Sequence, residues 1–240
     1  MDIRIKDLLK TYGEVVAVNI SALHVQPGRI FGLVGENGAG KTTFLRQLLD
    51  LVEADRGCVL VNGVNIAKEP DWKQNTGSYL DKSFLFPFLS PREYFQFIGK
   101  LYGFSPVEIE DSLRAYREFF NVDEESGERL IRDLSSGNKQ KVGLLGTLII
   151  KPKLLILDEP FASLDPLGQQ QLKGYLEYLR SEFGTTVVLS SHNLHHVKDV
   201  CDRIVILKQG RLIEDIDPRK VPLEDLYKYF RPAGSDSSPV

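Results

Sequence analysis

The chain has 240 residues, 42% of them hydrophobic, enough for one large domain or two small ones with a sizeable core. Its 30 basic and 33 acidic side chains leave a net charge of −3 with no long basic block, so nucleic acid is not the expected partner. Cys58 and Cys201 stand far apart beside apolar runs, which fits buried thiols in a reduced, cytosolic protein; there is no signal-peptide pattern and no run of 18 apolar residues, so the chain is not expected to cross a membrane itself.

The first part reads as strands. Val15, Val16, Val18 and Ile20 are β-branched, and Leu23 and Val25 carry the run to a Pro27-Gly28 turn. Residues 30–34 read as a short buried strand. Next come Gly35, Glu36, Asn37, Gly38, Ala39, Gly40, Lys41 and Thr42, which match the G-x-x-x-x-G-K-[ST] phosphate-binding loop. Residues 43–51 follow with apolar side chains at helical spacing, Phe44, Leu45, Leu48 and Leu49. Strand, glycine-rich loop and helix are the three parts this motif needs. The loop turns backbone N–H groups toward phosphate oxygens, and the helix presents its positive dipole end to the same anion. Lys41 adds a charge for the β- and γ-phosphates, and the Thr42 hydroxyl suits Mg²⁺. The chain is therefore expected to bind a nucleoside triphosphate.

Residues 58–61 read as a strand entering a hairpin at Asn62-Gly63. From Pro87 to about residue 150 the character is helical, with helices predicted over 92–101, 107–120 and 134–150. Alternating elements then return: a buried strand at 154–157, a helix at 169–183, a strand at 185–190 and a helix at 194–201. A strand pair follows from 203, turning at Gln209-Gly210. From Pro232 the tail is rich in Pro, Ser and Gly and is expected to be disordered. The organisation predicted is an α/β nucleotide-binding domain over 1–231 with a helical insert at about 82–151.

Asp158 and Glu159 follow the apolar strand 154–157. There Asp158 can hold Mg²⁺ directly or through water, and Glu159 can polarise an attacking water as general base. Residues 134–141, Leu-Ser-Ser-Gly-Asn-Lys-Gln-Lys, resemble the signature of ABC ATPases, usually LSGGQ followed by basic residues. Over about residues 1–215 the chain is similar to the ATP-binding subunit of an ABC transporter. The resemblance implies a P-loop NTPase fold: a mainly parallel sheet core, an antiparallel β subdomain and a helical subdomain. It implies that Tyr12 stacks on adenine and that residues 35–42 with Thr43 grip the phosphates of ATP. Ser135, Ser136, Gly137 and Asn138 would meet a partner's ATP in a head-to-tail dimer. Ser163 and Asp165 would form the D-loop at the dimer interface, and His192 would contact the γ-phosphate. Asp81 would stand at the Q-loop and reach a metal-bound water.

The implied cofactors are ATP and Mg²⁺. The implied partners are a separate transmembrane permease subunit and a second ATP-binding subunit, identical or different, on the cytoplasmic face of the membrane. Residues 91–103 are similar to subunits of drug, antibiotic or lipid exporters. Ser136 stands where the family usually has glycine, Asn138 where it has glutamine, and Asp81 where it has glutamine or glutamate. These departures bear on hydrolysis more than on ATP binding. They motivate an alternative, a degenerate half that binds ATP and pairs with a competent, different subunit. ABC-type ATPases acting on DNA or ribosomes carry long coiled-coil or zinc insertions or tandem domains, and no such insertion is visible. His192, His195, His196 and Cys201 are close in sequence but lack a paired zinc pattern and read as structural, the switch role of His192 resting on the family order. The aromatic run Phe84, Phe86, Phe88, Tyr94, Phe95, Phe97, Tyr102 and Phe104 reads mostly as core of the insert. Part of it falls where the family receives a coupling helix from the membrane subunit.

Overall fold

Two sheets share the load of burying the apolar runs. A computed structural model describes residues 1–120 and 129–226, so the tail read from Pro232 lies outside the described residues. Strands β1 (Ile3–Tyr12), β2 (Val15–Val25), β4 (Arg56–Val61) and β5 (Val64–Asn65) form an antiparallel sheet in the order β2-β1-β4-β5. Strands β3 (Ile30–Val34), β6 (Thr76–Tyr79), β7 (Leu154–Leu157), β8 (Thr186–Ser191), β9 (Arg203–Lys208) and β10 (Arg211–Ile216) form the second sheet, in the order β10-β9-β3-β8-β7-β6. All neighbours in it are parallel except β10 against β9.

The inner strands of the second sheet are covered on both faces, which is why β3, β7 and most of β9 are apolar rather than alternating. Ile30 and Val34 of β3 point into one core cluster, shared with the helices, while Phe31 and Leu33 point into the other, shared with the antiparallel sheet. Leu155 and Leu157 against Leu154 and Ile156 in β7 repeat the division. The helices are α1 (Lys41–Leu48), α2 (Pro91–Leu101), α3 (Pro106–Phe120), α4 (Ser136–Leu148), α5 (Pro166–Phe183), α6 (Leu194–Val200) and α7 (Leu223–Leu226). Among the described residues no helix is long and apolar enough to cross a membrane.

Most predicted elements appear within a few residues of their expected ends. Helix α5 starts three residues earlier than its apolar pattern indicates, because Asp165 caps it by accepting from the Gly168 amide at 2.6 Å and Pro166 takes the first helical position. Helix α2 begins with a capping box between Ser90 and Glu93. Strand β6 was not predicted. It is Thr-Gly-Ser-Tyr, without an apolar run, and it lies at the sheet edge where one neighbour suffices. Strand β1 was obscured by a break in phase at Asp7, whose φ of 48° shifts the register against β4.

The aromatic run differs from expectation. Only Tyr94 and Phe95 are buried; Phe84, Phe86, Phe88, Phe97 and Tyr102 are exposed and Phe104 is half-buried. In the irregular segment after β6 it is Leu85 and Leu89 that turn inward, leaving the aromatics between them outside.

Candidate functional site

Parallel strands that start at one edge end together at the other. Val34 pairs with Ser191, and Leu157 with Leu189. The loop after β3, the carboxylates after β7 and the histidine after β8 therefore meet at the C-terminal edge of the sheet, where α/β folds place ligands.

The loop after β3 is held from two sides. Gly40 has φ 106° and caps α1, and a Cβ there would stand 2.1 Å from the Ala17 carbonyl oxygen of β2, so only glycine fits. The Gly210 amide in the β9–β10 turn donates to the Ala39 carbonyl at 2.9 Å. No side chain caps α1 and its first turn has no acidic residue, so its N-terminal amides face an anion without competition. Lys41 is buried. Its Nζ donates to the Gly35 carbonyl at 2.7 Å and the Glu36 carbonyl at 3.2 Å, and lies 3.4 Å from Glu159 Oε1.

Thr42 Oγ1 donates to Asp158 Oδ2 at 2.5 Å, and Ser190 Oγ donates to Asp158 Oδ1. A threonine hydroxyl and a carboxylate this close, both hard oxygen donors beside a phosphate loop, suit Mg²⁺, which takes one or two carboxylates and completes its shell with water and phosphate oxygens. Glu159 follows with φ 46°, a conformation uncommon for a residue with a side chain. Its amide donates to Ser190 Oγ at 3.0 Å. Its Oε2 faces His192 Nδ1 at 2.9 Å and accepts from the His192 amide at 3.3 Å. A carboxylate only accepts here, so Nδ1 donates to Glu159 and Nε2 takes no part in that bond. Glu159 Oε1 is buried without a hydrogen bond, next to the Lys41 ammonium.

Tyr12 ends β1, paired with Val15, while Ala17 two residues along β2 packs on Gly40. Its ring is half exposed, with Lys10 Nζ 5.6 Å from the centroid. Asp55 pins this strand end, accepting from Lys10 Nζ at 2.8 Å, the Thr11 amide at 2.6 Å and Thr11 Oγ1 at 2.7 Å. These bonds, that from Lys10 foremost and then those from Thr11, hold the Asp55 carboxyl down to about 2. Because the folded value is depressed, the anchor is complete above the ordinary value near 3.8 and is lost as pH falls through about 2.

The signature segment forms the start of α4. Ser135 caps it, its Oγ accepting from the Asn138 amide at 3.2 Å. The Ser136 hydroxyl accepts from Lys82 Nζ, which also donates to Ser163 Oγ at 3.1 Å. A Cβ on Gly137 would lie 3.0 Å from the Ser163 carbonyl, and Ser163 has φ 63°. The segments read as signature and D-loop thus pack against each other within one chain, joined by Lys82. Asp165 is engaged as the cap of α5. Among the described residues no hydrogen bond joins Ser135, Ser136, Gly137 or Asn138 to the loop of residues 35–43. Asp81 lies two residues past β6, at the edge that carries Asp158, but its Oδ1 accepts from the Ser83 amide at 2.7 Å, and among the described residues no hydrogen bond joins it to Thr42 or Asp158. Cys201 lies in the core, and His196 packs on Phe161 with ring centroids 5.1 Å apart.

Several residues of this site were missed from sequence. Ser190 reads from sequence only as the end of the strand at 185–190, yet it bonds both Asp158 and Glu159. Lys82, Tyr79 and Gln140 gave no signal, because each acts on segments distant in the chain.

A sequence model of the family described as ABC transporter matches residues 18–162. The bacitracin transport ATP-binding protein BcrA of Enterococcus faecalis is 34% identical over 223 residues, 90% of this chain and 69% of that protein. The linearmycin resistance ATP-binding protein LnrL of Bacillus subtilis is 34% identical over 209 residues, 87% of this chain and 67% of that protein. Among solved structures, an ATP-binding subunit of an ABC transporter superposes with a TM-score of 0.83 at 28% identity, covering 96% of this chain and 93% of that one. A dimeric ATP-binding cassette in a post-hydrolysis state with ADP and Pi shares the fold, with a TM-score of 0.81 at 23% identity, covering 91% of this chain and 100% of that one.

Proposed function

The chain belongs to the ABC transporter family as an ATP-binding, ATP-hydrolysing subunit, and on that premise we propose that closure of two such subunits around ATP powers a membrane permease of the exporter type. One observation carries the reading. Lys41, the Thr42–Asp158 pair and the Glu159–His192 pair converge at one sheet edge, while among the described residues no hydrogen bond joins the start of α4 to the phosphate loop. A helix N-terminus suited to phosphate and left without one in its own chain is what a head-to-tail partner would use.

Lys41 and the amides of residues 36–43 bind and orient the triphosphate. Thr42 and Asp158 would hold Mg²⁺, which supplies neutralising charge to the phosphate oxygens when bound. Glu159 accepts a proton from water as the water oxygen bonds to the γ-phosphorus and the bond to the β-bridging oxygen breaks. His192 orients the Glu159 carboxylate through Nδ1, leaving Nε2 for the attacking water, or, as Nε2–H of the imidazolium, for a γ-phosphate oxygen. Residues 1–231 act as one ATP-binding domain, with the insert at about 82–151 presenting the permease-facing surface. The exposed Phe84, Phe86, Phe88 and Phe97 support that assignment, since Phe86 and Phe97 stack edge to face at 5.2 Å without being covered. The antibiotic transport and resistance named for its relatives supports the exporter type and a place on the cytoplasmic face of a membrane.

Phosphate release from ATP by the purified chain, with and without Mg²⁺, tests the reading; absence of ATP binding would overturn it. Tyr12→Ala is expected to weaken ATP binding by about 1–3 kcal/mol, the range for a base stacked on an aromatic ring. Tyr12→Trp is expected to be tolerated, both measured by nucleotide titration. Equal affinity of Tyr12→Ala and the parent would make Tyr12 a plain surface residue.

A second reading, the weakly hydrolysing half, is favoured by Ser136, whose hydroxyl is tied to Lys82. Restoring Ser136→Gly with Asn138→Gln is expected to raise turnover and leave ATP affinity of the monomer unchanged, because the signature acts on the partner's nucleotide. Unaltered turnover of the double variant would show that these positions do not limit it.

A further inference from the structure

Gln140 lies one turn into α4, behind the signature, and is almost fully buried. Its Nε2 donates to the Pro160 carbonyl at 3.1 Å and approaches the Glu159 carbonyl at 3.4 Å. Its Oε1 accepts from the Tyr79 hydroxyl at 3.2 Å. The orientation of the amide follows from its partners. Turned over, the oxygen would face two carbonyl oxygens, which repel it. Burial, and after it the charge of Asp81, pushes the Tyr79 phenol well up from its ordinary value, so Tyr79 stays a hydroxyl donor. The Tyr79 ring itself is clamped on α4, for a Cβ on Gly143 would overlap it at 2.0 Å.

These bonds converge on a residue whose backbone is strained at the centre of the site. Glu159 has φ 46°, and such a conformation persists only where its surroundings over-determine it. Ser190 takes the Glu159 amide from one side, and Gln140 takes the carbonyls of Glu159 and Pro160 from the other. We propose that Gln140 is a positioning residue for ATP hydrolysis: it holds the Glu159 main chain so that the carboxylate stands between Lys41 and His192, and it links that aim to the signature at the head of its own helix. The inference rests on the reading of Glu159 as general base. Its consequence is a connection between the two nucleotide sites of a dimer, since the signature would grip the partner's ATP while Glu159 acts on the chain's own. A shift of α4 on gripping phosphate is carried by Gln140 to the Glu159 peptide through a distance of one helical turn.

Gln140→Met keeps volume and burial and removes the amide. It is expected to lower kcat about tenfold, the scale of one hydrogen bond's worth of misalignment, with ATP affinity near that of the parent and a lowered melting temperature, because the buried Tyr79 hydroxyl and Pro160 carbonyl lose their partner. The deciding measurement is the same substitution in a Glu159→Gln background, read by single-turnover hydrolysis. Two residues acting through one carboxylate do not add, so the second substitution is expected to cause little further loss. Tyr79→Phe, which keeps the packed ring and removes only the hydroxyl, is expected to reproduce the effect more weakly and serves should Gln140→Met fail to fold. Unchanged kcat in these variants, or an equal loss in both backgrounds, overturns the positioning role. Parental turnover in Glu159→Gln alone overturns the base reading instead, and the positioning role with it.

Discussion

Glu159→Gln is expected to lower ATP hydrolysis by about 10²- to 10⁴-fold, the contribution of a general base, while ATP binding survives. The substitution preserves shape and removes the carboxylate that stands between Lys41 and His192, the group read as the proton acceptor. The structure explains why binding should persist. Lys41 keeps its two carbonyl acceptors, Gly35 and Glu36, and the Thr42–Asp158 pair is untouched. The amide cannot serve both of its neighbours as the carboxylate does: its oxygen can accept from His192, but its NH₂ then faces the Lys41 ammonium. Bound, unconsumed ATP should hold two subunits closed, so the variant is expected to move from monomer to dimer on gel filtration with ATP and not with ADP, a different companion subunit being added if pairing is heteromeric. Turnover equal to the parent would deny Glu159 the role and leave Asp158, His192 or the phosphate itself as proton acceptor.

Lys41→Ala is expected to weaken ATP binding by roughly tenfold to a hundredfold or more, since hydrogen bonds to a charged group are worth about 1.5–3 kcal/mol. The loss has a second component. Glu159 Oε1 is buried without a hydrogen bond, and the Lys41 ammonium at 3.4 Å is the cation beside it. Removing Lys41 leaves that oxygen uncompensated, so the remaining hydrolysis at saturating ATP should fall as well. Fluorescence titration with nucleotide measures the first effect and phosphate release at saturation the second. Unchanged ATP affinity would remove the loop from the binding site altogether.

The site was legible in the sequence where its chemistry is carried by neighbours in the chain. A strand, eight loop residues and a helix suffice to curl amides around phosphate, so Gly35 to Thr42 could be read without a structure. The same holds for Asp158 and Glu159, which sit at the mouth of a strand marked by four apolar residues. Buried strands of the parallel sheet were legible because both their faces are covered, which makes them apolar end to end. Edge strand β6 was not, because one covered side and one neighbour leave it Thr-Gly-Ser-Tyr. The eight aromatics between Phe84 and Phe104 illustrate the limit from the other side. Their composition says core, but whether a ring is buried depends on what packs over it, and only Tyr94 and Phe95 are covered.

Sequence by itself therefore determined the nucleotide-binding architecture, the phosphate loop and the paired carboxylates, because backbone geometry and periodicity act over short stretches of chain. Tertiary structure alone decided how the charged groups are set. It brought Lys41, Glu159 and His192 within a few ångströms, and it turned Asp81 onto its own backbone. It used Lys82 to join Ser136 to Ser163, and it ran a buried amide from Gln140 to the carbonyls beside Glu159. Apart from the local turn of Asp81, each of these contacts spans 19 or more residues of chain. Such contacts exist only once the sheet has closed and brought distant segments of the chain together.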